Sequence, residues 1–230
     1  MTPSPVRRPL TLAVAFGLVV ALAACSAPGA GSTTAPASAA PPTAADGYDP
    51  SDCPTSQPEP LGAGETRAVT IATNLGSMDL TIEGDLSPIA AGNFVALAEC
   101  GYYDGVVFHR VVPGFVIQAG DGQHGRAPNV DPTLVGTGGP GYTIEDEPVT
   151  ATYGRGVVAM ARTSAPNSVG SQFFIVLDDE ARGALESYNT YQIIGTVTSG
   201  METADAIAAA ADAEIPTNPV PMADVSVSTP

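Results

Sequence analysis

The chain has 230 residues, 44% of them apolar and 14% charged, which is enough for one packed domain with tails and argues against disorder throughout. Twenty-four acidic residues oppose eight basic ones, all of them arginine, and the net charge is −16. That balance leaves no basic face for nucleic acid or anionic lipid, and the absence of lysine excludes Schiff-base chemistry. The three cysteines and two histidines fit no zinc framework, so neither a metal nor another cofactor is expected.

Residues 1–24 carry Arg7 and Arg8 and then an apolar run over 10–24, the pattern of a secretory signal. The run is shorter than the roughly 20 residues a membrane-spanning helix needs. It ends Leu22-Ala23-Ala24-Cys25, which resembles the lipobox of bacterial lipoproteins, in which the cysteine is acylated and becomes the first mature residue. The resemblance implies a protein on the extracytoplasmic face of the cell membrane that touches it only through lipid on Cys25. An ordinary cleaved signal releasing a soluble secreted protein is the alternative. Without residues 1–24 six arginines face 24 acids, a net charge of −18.

Residues 25–64 are rich in Ala, Pro, Ser, Thr and Gly, with no periodic apolar pattern, and read as a disordered tether. A flexible chain of that length reaches roughly 35 Å. Cys53 lies within it and Cys100 beyond it, and an exported protein meets oxidising conditions, so a Cys53–Cys100 disulfide is expected, with two free thiols as the alternative.

The domain is expected over 65–230. Alternating apolar residues over 68–72 and 78–82, around Asn74-Leu75-Gly76, predict a hairpin. Ser87-Pro88 reads as an N-cap with proline in the first turn, opening a helix to Cys100-Gly101. Further strands are predicted over 105–108, 115–118, 156–160, 172–176 and 191–197, then a second helix over 201–211 and a closing strand over 224–227. Many short strands with two helices suggest a closed or sandwiched mainly-β fold with helical caps.

Four blocks within this domain carry a resemblance. They are Asn93-Phe94; the run from Phe108-His109-Arg110 through Phe115-Val116-Ile117-Gln118 to Gly120-Asp121; Gly136-Thr137-Gly138-Gly139-Pro140-Gly141-Tyr142; and Met160-Ala161-Arg162 with Gly170-Ser171-Gln172-Phe173-Phe174-Ile175. In this order they resemble the cyclophilin family of peptidyl-prolyl cis-trans isomerases. The resemblance implies an eight-stranded antiparallel β-barrel capped by two α-helices. It also implies an enzyme that acts on proline-containing peptides and on exported proteins as they fold, with a monomeric chain expected.

Rotation about a peptide C–N bond faces about 18–20 kcal/mol, while the two isomers at X-Pro differ by only about 0.5–1 kcal/mol. Such a reaction needs no nucleophile or metal, only a grip on proline and donors that favour the twisted amide. By resemblance Arg110 is the catalytic donor, since a guanidinium stays charged at any working pH. Phe115, Val116 and Phe174 would form the apolar seat for proline, and Gln118 and Gln172 would bond the substrate backbone. Ala161, Arg162 and Thr163 would line the groove for residues before proline, with Tyr191 closing the far side. The chain has no tryptophan, and Leu185 is the candidate for the place many relatives give one, so cyclosporin affinity is expected to be low. Residues 122–135 read as an insertion, His109 as structural, the Gly136–Gly141 run as a turn-rich loop, and the acidic triplets 145–147 and 178–180 as solvated faces. A non-catalytic adaptor that holds proline-containing segments is the alternative function.

Overall fold

A computed structural model describes residues 50–229. The signal segment, Cys25 and most of the tether lie outside the described residues.

Eight strands form one antiparallel sheet: β1 (Thr66–Thr73), β2 (Gly76–Glu83), β3 (Arg110–Val112), β4 (Val116–Ala119), β5 (Val157–Met160), β6 (Phe173–Val176), β7 (Ile193–Ser199) and β8 (Met222–Ser228). Their order across the sheet is β3-β4-β6-β5-β7-β2-β1-β8. The strands alone make a half-barrel, and irregular chain closes the gap between its edges. Gly105 N–H donates to Met222 O at 2.6 Å, Met222 N–H to Val106 O at 2.9 Å, and Phe108 N–H to Val220 O at 2.9 Å. The segment 105–108, expected as a strand, makes only isolated bridges, and the regular ladder starts two residues later at Arg110.

Alternation explains which faces are buried. In β1 Val69 and Ile71 point inward, and in β2 Met78, Leu80 and Ile82 do so, between exposed or half-exposed neighbours. Strands β5 and β6 are buried at every position, because each of their faces meets a different core. Inside the barrel Val111, Ile117, Ile175, Val158 and Phe173 join the main core with Phe94 and Leu97. Outside it Val116, Phe174, Val176 and Ala159 join a smaller core with Tyr153, Leu185 and Ile193.

Among the described residues three α-helices are present rather than two: α1 (Pro88–Glu99), α2 (Arg182–Tyr188) and α3 (Met201–Ala210). Ser87 occupies the N-cap of α1 with proline following, but its hydroxyl makes no cap bond. The carboxylate of Glu147, distant in sequence, instead accepts from Ile89 N–H and Ala90 N–H, both at 2.9 Å, satisfying orphan donors at the positive end of the helix. This corrects the reading of Glu147 as part of a solvated face, while Glu145 and Asp146 are exposed as expected. The 178–180 triplet is exposed as expected, with Asp178 capping a short 3-10 turn and Asp179 accepting from Arg155 N–H.

The domain boundary also shifts. Cys53 is bonded to Cys100 at the end of α1, Leu61 is buried in the main core, and Leu61 N–H donates to Pro88 O at 2.9 Å. Residues 53–64 are therefore a strap packed on the domain rather than tether. Gly92 makes this fit: a side chain there would run into the carbonyl of Glu59 and the backbone of Leu61. One apolar residue and one disulfide hold an otherwise polar, proline-rich segment, which is why periodicity did not reveal it.

Candidate active site

Strand register gathers the key residues on the outer face of the barrel. Arg110 on β3 stands opposite Gln118 on β4, and Gln118 opposite Phe174 on β6. The three side chains form one row across neighbouring strands. Two residues along, Val112, Val116 and Val176 form the next row. Phe115, half-buried, packs against the same small core, and its carbonyl accepts from Leu177 N–H at 2.8 Å.

Phe174 and Val116, expected in the apolar seat, are only 4% and 2% exposed, and Phe115 is the more open of the three. The Tyr191 ring meets Phe174 edge-on, centroids 5.3 Å apart, and so closes one side. Its carbonyl accepts from the Tyr153 hydroxyl at 2.8 Å, and burial pushes the Tyr153 phenol up to about 12. Leu185 is the one buried residue of α2 and belongs to the same small core as Val116 and Phe174, against which Phe115 and Tyr191 pack. Tyr188, at the end of the same helix, is exposed instead, its ring 6.4 Å from Tyr191.

Beside the row lies a groove of about 770 Å³, lined by Gln118, Gln172, Ala161, Arg162, Thr163 and residues 136–143. Gln118 and Gln172 stand at the junction of seat and groove. Gln118 Nε2 donates to Gln172 Oε1 at 2.9 Å, and Gln172 Nε2 donates to Gly136 O at 2.9 Å and Gly138 O at 2.8 Å. Each amide is thereby fixed in one orientation. Tyr142 on the far wall donates to Asn93 Oδ1 at 2.8 Å, and burial raises its phenol to about 12, so that wall stays uncharged at working pH.

Arg162 lines the groove, but its guanidinium is spent on scaffolding. It pairs with Asp146 at 2.8 Å and donates to the carbonyls of Ala165 at 2.8 Å and Thr163 at 3.2 Å, holding the turn that carries Thr163. Arg67, Arg126, Arg155 and Arg182 also donate to main-chain carbonyls. Among the six described arginines Arg110 is the exception. Its Nε donates to Glu214 Oε1 at 2.7 Å, and neither terminal nitrogen has a hydrogen-bond partner among the described residues.

Sequence reasoning missed the residue that organises the loop. Asp121 is fully buried and accepts four backbone N–H groups: Gln123 at 3.1 Å and His124 at 2.9 Å on Oδ1, Gly136 at 2.7 Å and Gly138 at 2.9 Å on Oδ2. It therefore anchors both ends of the 122–135 segment and sets the carbonyls that grip Gln172. The Gly136–Gly141 run is a loop whose amides already face a carboxylate. His109 is buried beside it, with neither ring nitrogen in a hydrogen bond of ordinary geometry among the described residues. Burial lowers its pKa, only partly opposed by Asp121, in keeping with a neutral structural ring. No cluster of metal-binding side chains occurs among the described residues.

Comparison with known proteins points the same way. Residues 68–227 match the family model described as cyclophilin type peptidyl-prolyl cis-trans isomerase/CLD. A probable peptidyl-prolyl cis-trans isomerase of Brucella abortus is 40% identical over 141 residues, 60% of this chain and 70% of that protein. A crystal structure of a Cryptosporidium parvum cyclophilin type peptidyl-prolyl cis-trans isomerase superposes with a TM-score of 0.59 at 30% identity, over 72% of this chain and 99% of that one. The same parasite protein, solved in the presence of the dipeptide Ala-Pro, gives 0.58 at 31% identity, over 71% and 99%. The half-barrel, the row from Arg110 to Phe174 and a match running through nearly all of the domain make this chain a member of the cyclophilin-type peptidyl-prolyl cis-trans isomerases.

Proposed function

We propose that this isomerase turns over X-Pro bonds by seating proline on Phe115, Val116 and Phe174 while Arg110 stabilises the twisted amide, and that its clients are exported proteins folding outside the cytoplasmic membrane. The observation that carries the reading is the single cross-strand row of Arg110, Gln118 and Phe174. A ring seated over Phe174 lies within reach of a fixed amide at Gln118 and a charged donor at Arg110. As the amide twists, conjugation is lost, its nitrogen turns pyramidal and gains a lone pair, and a guanidinium donor favours that state over either planar isomer. Gln118 and Gln172 hold the chain on both sides so that rotation is confined to one bond. The Ala-Pro dipeptide used with the Cryptosporidium relative suits such a seat.

Export is supported by the Cys53–Cys100 disulfide, a bond that persists where thiols are not kept reduced. The Leu22-Ala23-Ala24-Cys25 run supports anchoring by lipid, with the strap at Cys53 tying the tether's far end to the domain. A mass spectrum of native protein beginning at an acylated Cys25 is expected, and one beginning at an unmodified residue would refute the anchor.

The functional test is a proline-isomerisation assay on a short X-Pro peptide with wild type and Arg110→Ala. Acceleration by the wild type and loss of most of it in the variant is the expected result. Peptide binding without acceleration by the folded wild type would replace the isomerase by the adaptor, and full activity in Arg110→Ala would remove the arginine from the mechanism.

A further inference from the structure

We infer that Glu214 is a positioning residue for catalysis: it clamps Arg110 by one edge so that both terminal nitrogens of the guanidinium face the seat. The inference rests on the role proposed for Arg110.

Two bonds fix the clamp. Glu214 Oε1 accepts from Arg110 Nε–H at 2.7 Å, and the main-chain carbonyl of Glu214 accepts from Val111 N–H, the next residue of β3, at 2.8 Å. The acid is thus bonded to the edge strand through its backbone and to the arginine through its side chain. The loop that carries it is itself held closed. Thr217 N–H donates to Asp212 Oδ1 at 2.9 Å, a bond that lowers the Asp212 pKa, and Pro216 is buried. Glu214 is therefore a fixed point and not a passing surface partner.

The chemistry asks for such a device. An arginine side chain has several rotatable bonds, and ordering it costs rotamer entropy. Arg110 lacks the backbone carbonyls that hold the other described arginines, so Glu214 alone orders its head. Bonding at Nε defines the guanidinium plane and leaves the two terminal groups to the substrate. The side chains of the pair are 36% and 60% exposed, so the contact adds little to stability and its effect falls on turnover.

Four proteins test this: Glu214→Ala, Glu214→Gln, Arg110→Ala and the double variant Arg110→Ala/Glu214→Ala. Glu214→Ala is expected to lower kcat about fivefold, the upper range for a part-exposed ion pair, with KM and melting temperature near wild type. Glu214→Gln keeps a neutral acceptor and is expected to recover part of the loss. In proton–nitrogen NMR spectra the Arg110 Nε–H resonance, protected from solvent exchange in the wild type, should exchange faster in Glu214→Ala and at an intermediate rate in Glu214→Gln. On the residual activity of Arg110→Ala, removing Glu214 as well should change nothing. Wild-type kcat in Glu214→Ala beside a disabled Arg110→Ala would overturn the clamp while leaving the arginine's role intact. So would an equal loss from removing Glu214 when Arg110 is already absent. Full activity in Arg110→Ala would instead overturn the role of Arg110 itself.

Discussion

Replacing Asp121 by alanine should cost more than any single change on the substrate-facing surface. The carboxylate is fully buried and receives four backbone N–H groups, two from the start of the 122–135 segment and two from just after its end. Bonds to a charged acceptor contribute about 1.5–3 kcal/mol each, a gross total of about 6–12 kcal/mol. Burying a carboxylate costs several kcal/mol against that, so the net loss is about 3–5 kcal/mol. In a urea titration with a slope near 2 kcal/mol per molar, that is a midpoint lower by roughly 1.5–2.5 M. Asp121→Asn should fare little better, because its amide would point a donor at donors already there. The change should also reach the site, since Gly136 and Gly138 supply both the amides that bind Asp121 and the carbonyls that hold Gln172. Isomerase activity measured well below the unfolding midpoint should therefore fall. A midpoint within about 0.3 M of wild type would refute the assignment of Asp121 as the loop's anchor, being under 1 kcal/mol at that slope.

Opening the Cys53–Cys100 bridge, which closes a loop of sequence separation 47, should lower stability by about 4 kcal/mol on the chain-entropy estimate; a melting curve insensitive to reductant would show that the strap holds without it. His109 supplies a pH dependence. Burial lowers its folded pKa, so below an unfolded value near 6.5 the unfolded chain binds the proton first, and stability falls as the pH falls. The expected slope approaches about 1.4 kcal/mol per pH unit, and it should vanish in His109→Gln. Urea midpoints at a series of pH values for the two proteins decide it, and parallel curves would count against a neutral native imidazole.

The parts of the fold legible in sequence are those where one physical signal dominates. Alternation at Val69 and Ile71 and at Met78, Leu80 and Ile82 marks the hairpin, and Ser87-Pro88 marks the start of α1. Helix α2 escaped because seven residues with one buried position show no period. Leu185 was given a place at the site on resemblance, and α2 packs it into the same small core as Val116 and Phe174. The residues expected to seat proline were named from runs that resemble the family's, while the groups that hold those runs in place carried no such mark. Asp121 lay within a quoted block with no local sign of its four partners, and Glu147 and Glu214 act on α1 and β3 from 57 and 104 residues away.

The composition acquires a meaning from these contacts. Composition alone, with 24 acids and no lysine, suggests charge spread in solvent, yet around the site the acids serve as acceptors for groups the fold must satisfy. Asp121 takes the loop amides, Glu147 the helix terminus, Asp146 the guanidinium of Arg162, and Glu214 that of Arg110. The arginines divide in a complementary way. Five of the six described ones bond main-chain carbonyls, a task suited to a planar group with five donors, and all but Arg67 reach into loop or turn segments. Arg110 alone is tied only to a side chain, at the edge of the sheet and in register with Gln118 and Phe174. A guanidinium held at one nitrogen and left unbonded at the other two is ordered without being used up, which is the condition a donor to a transient, twisted amide has to meet.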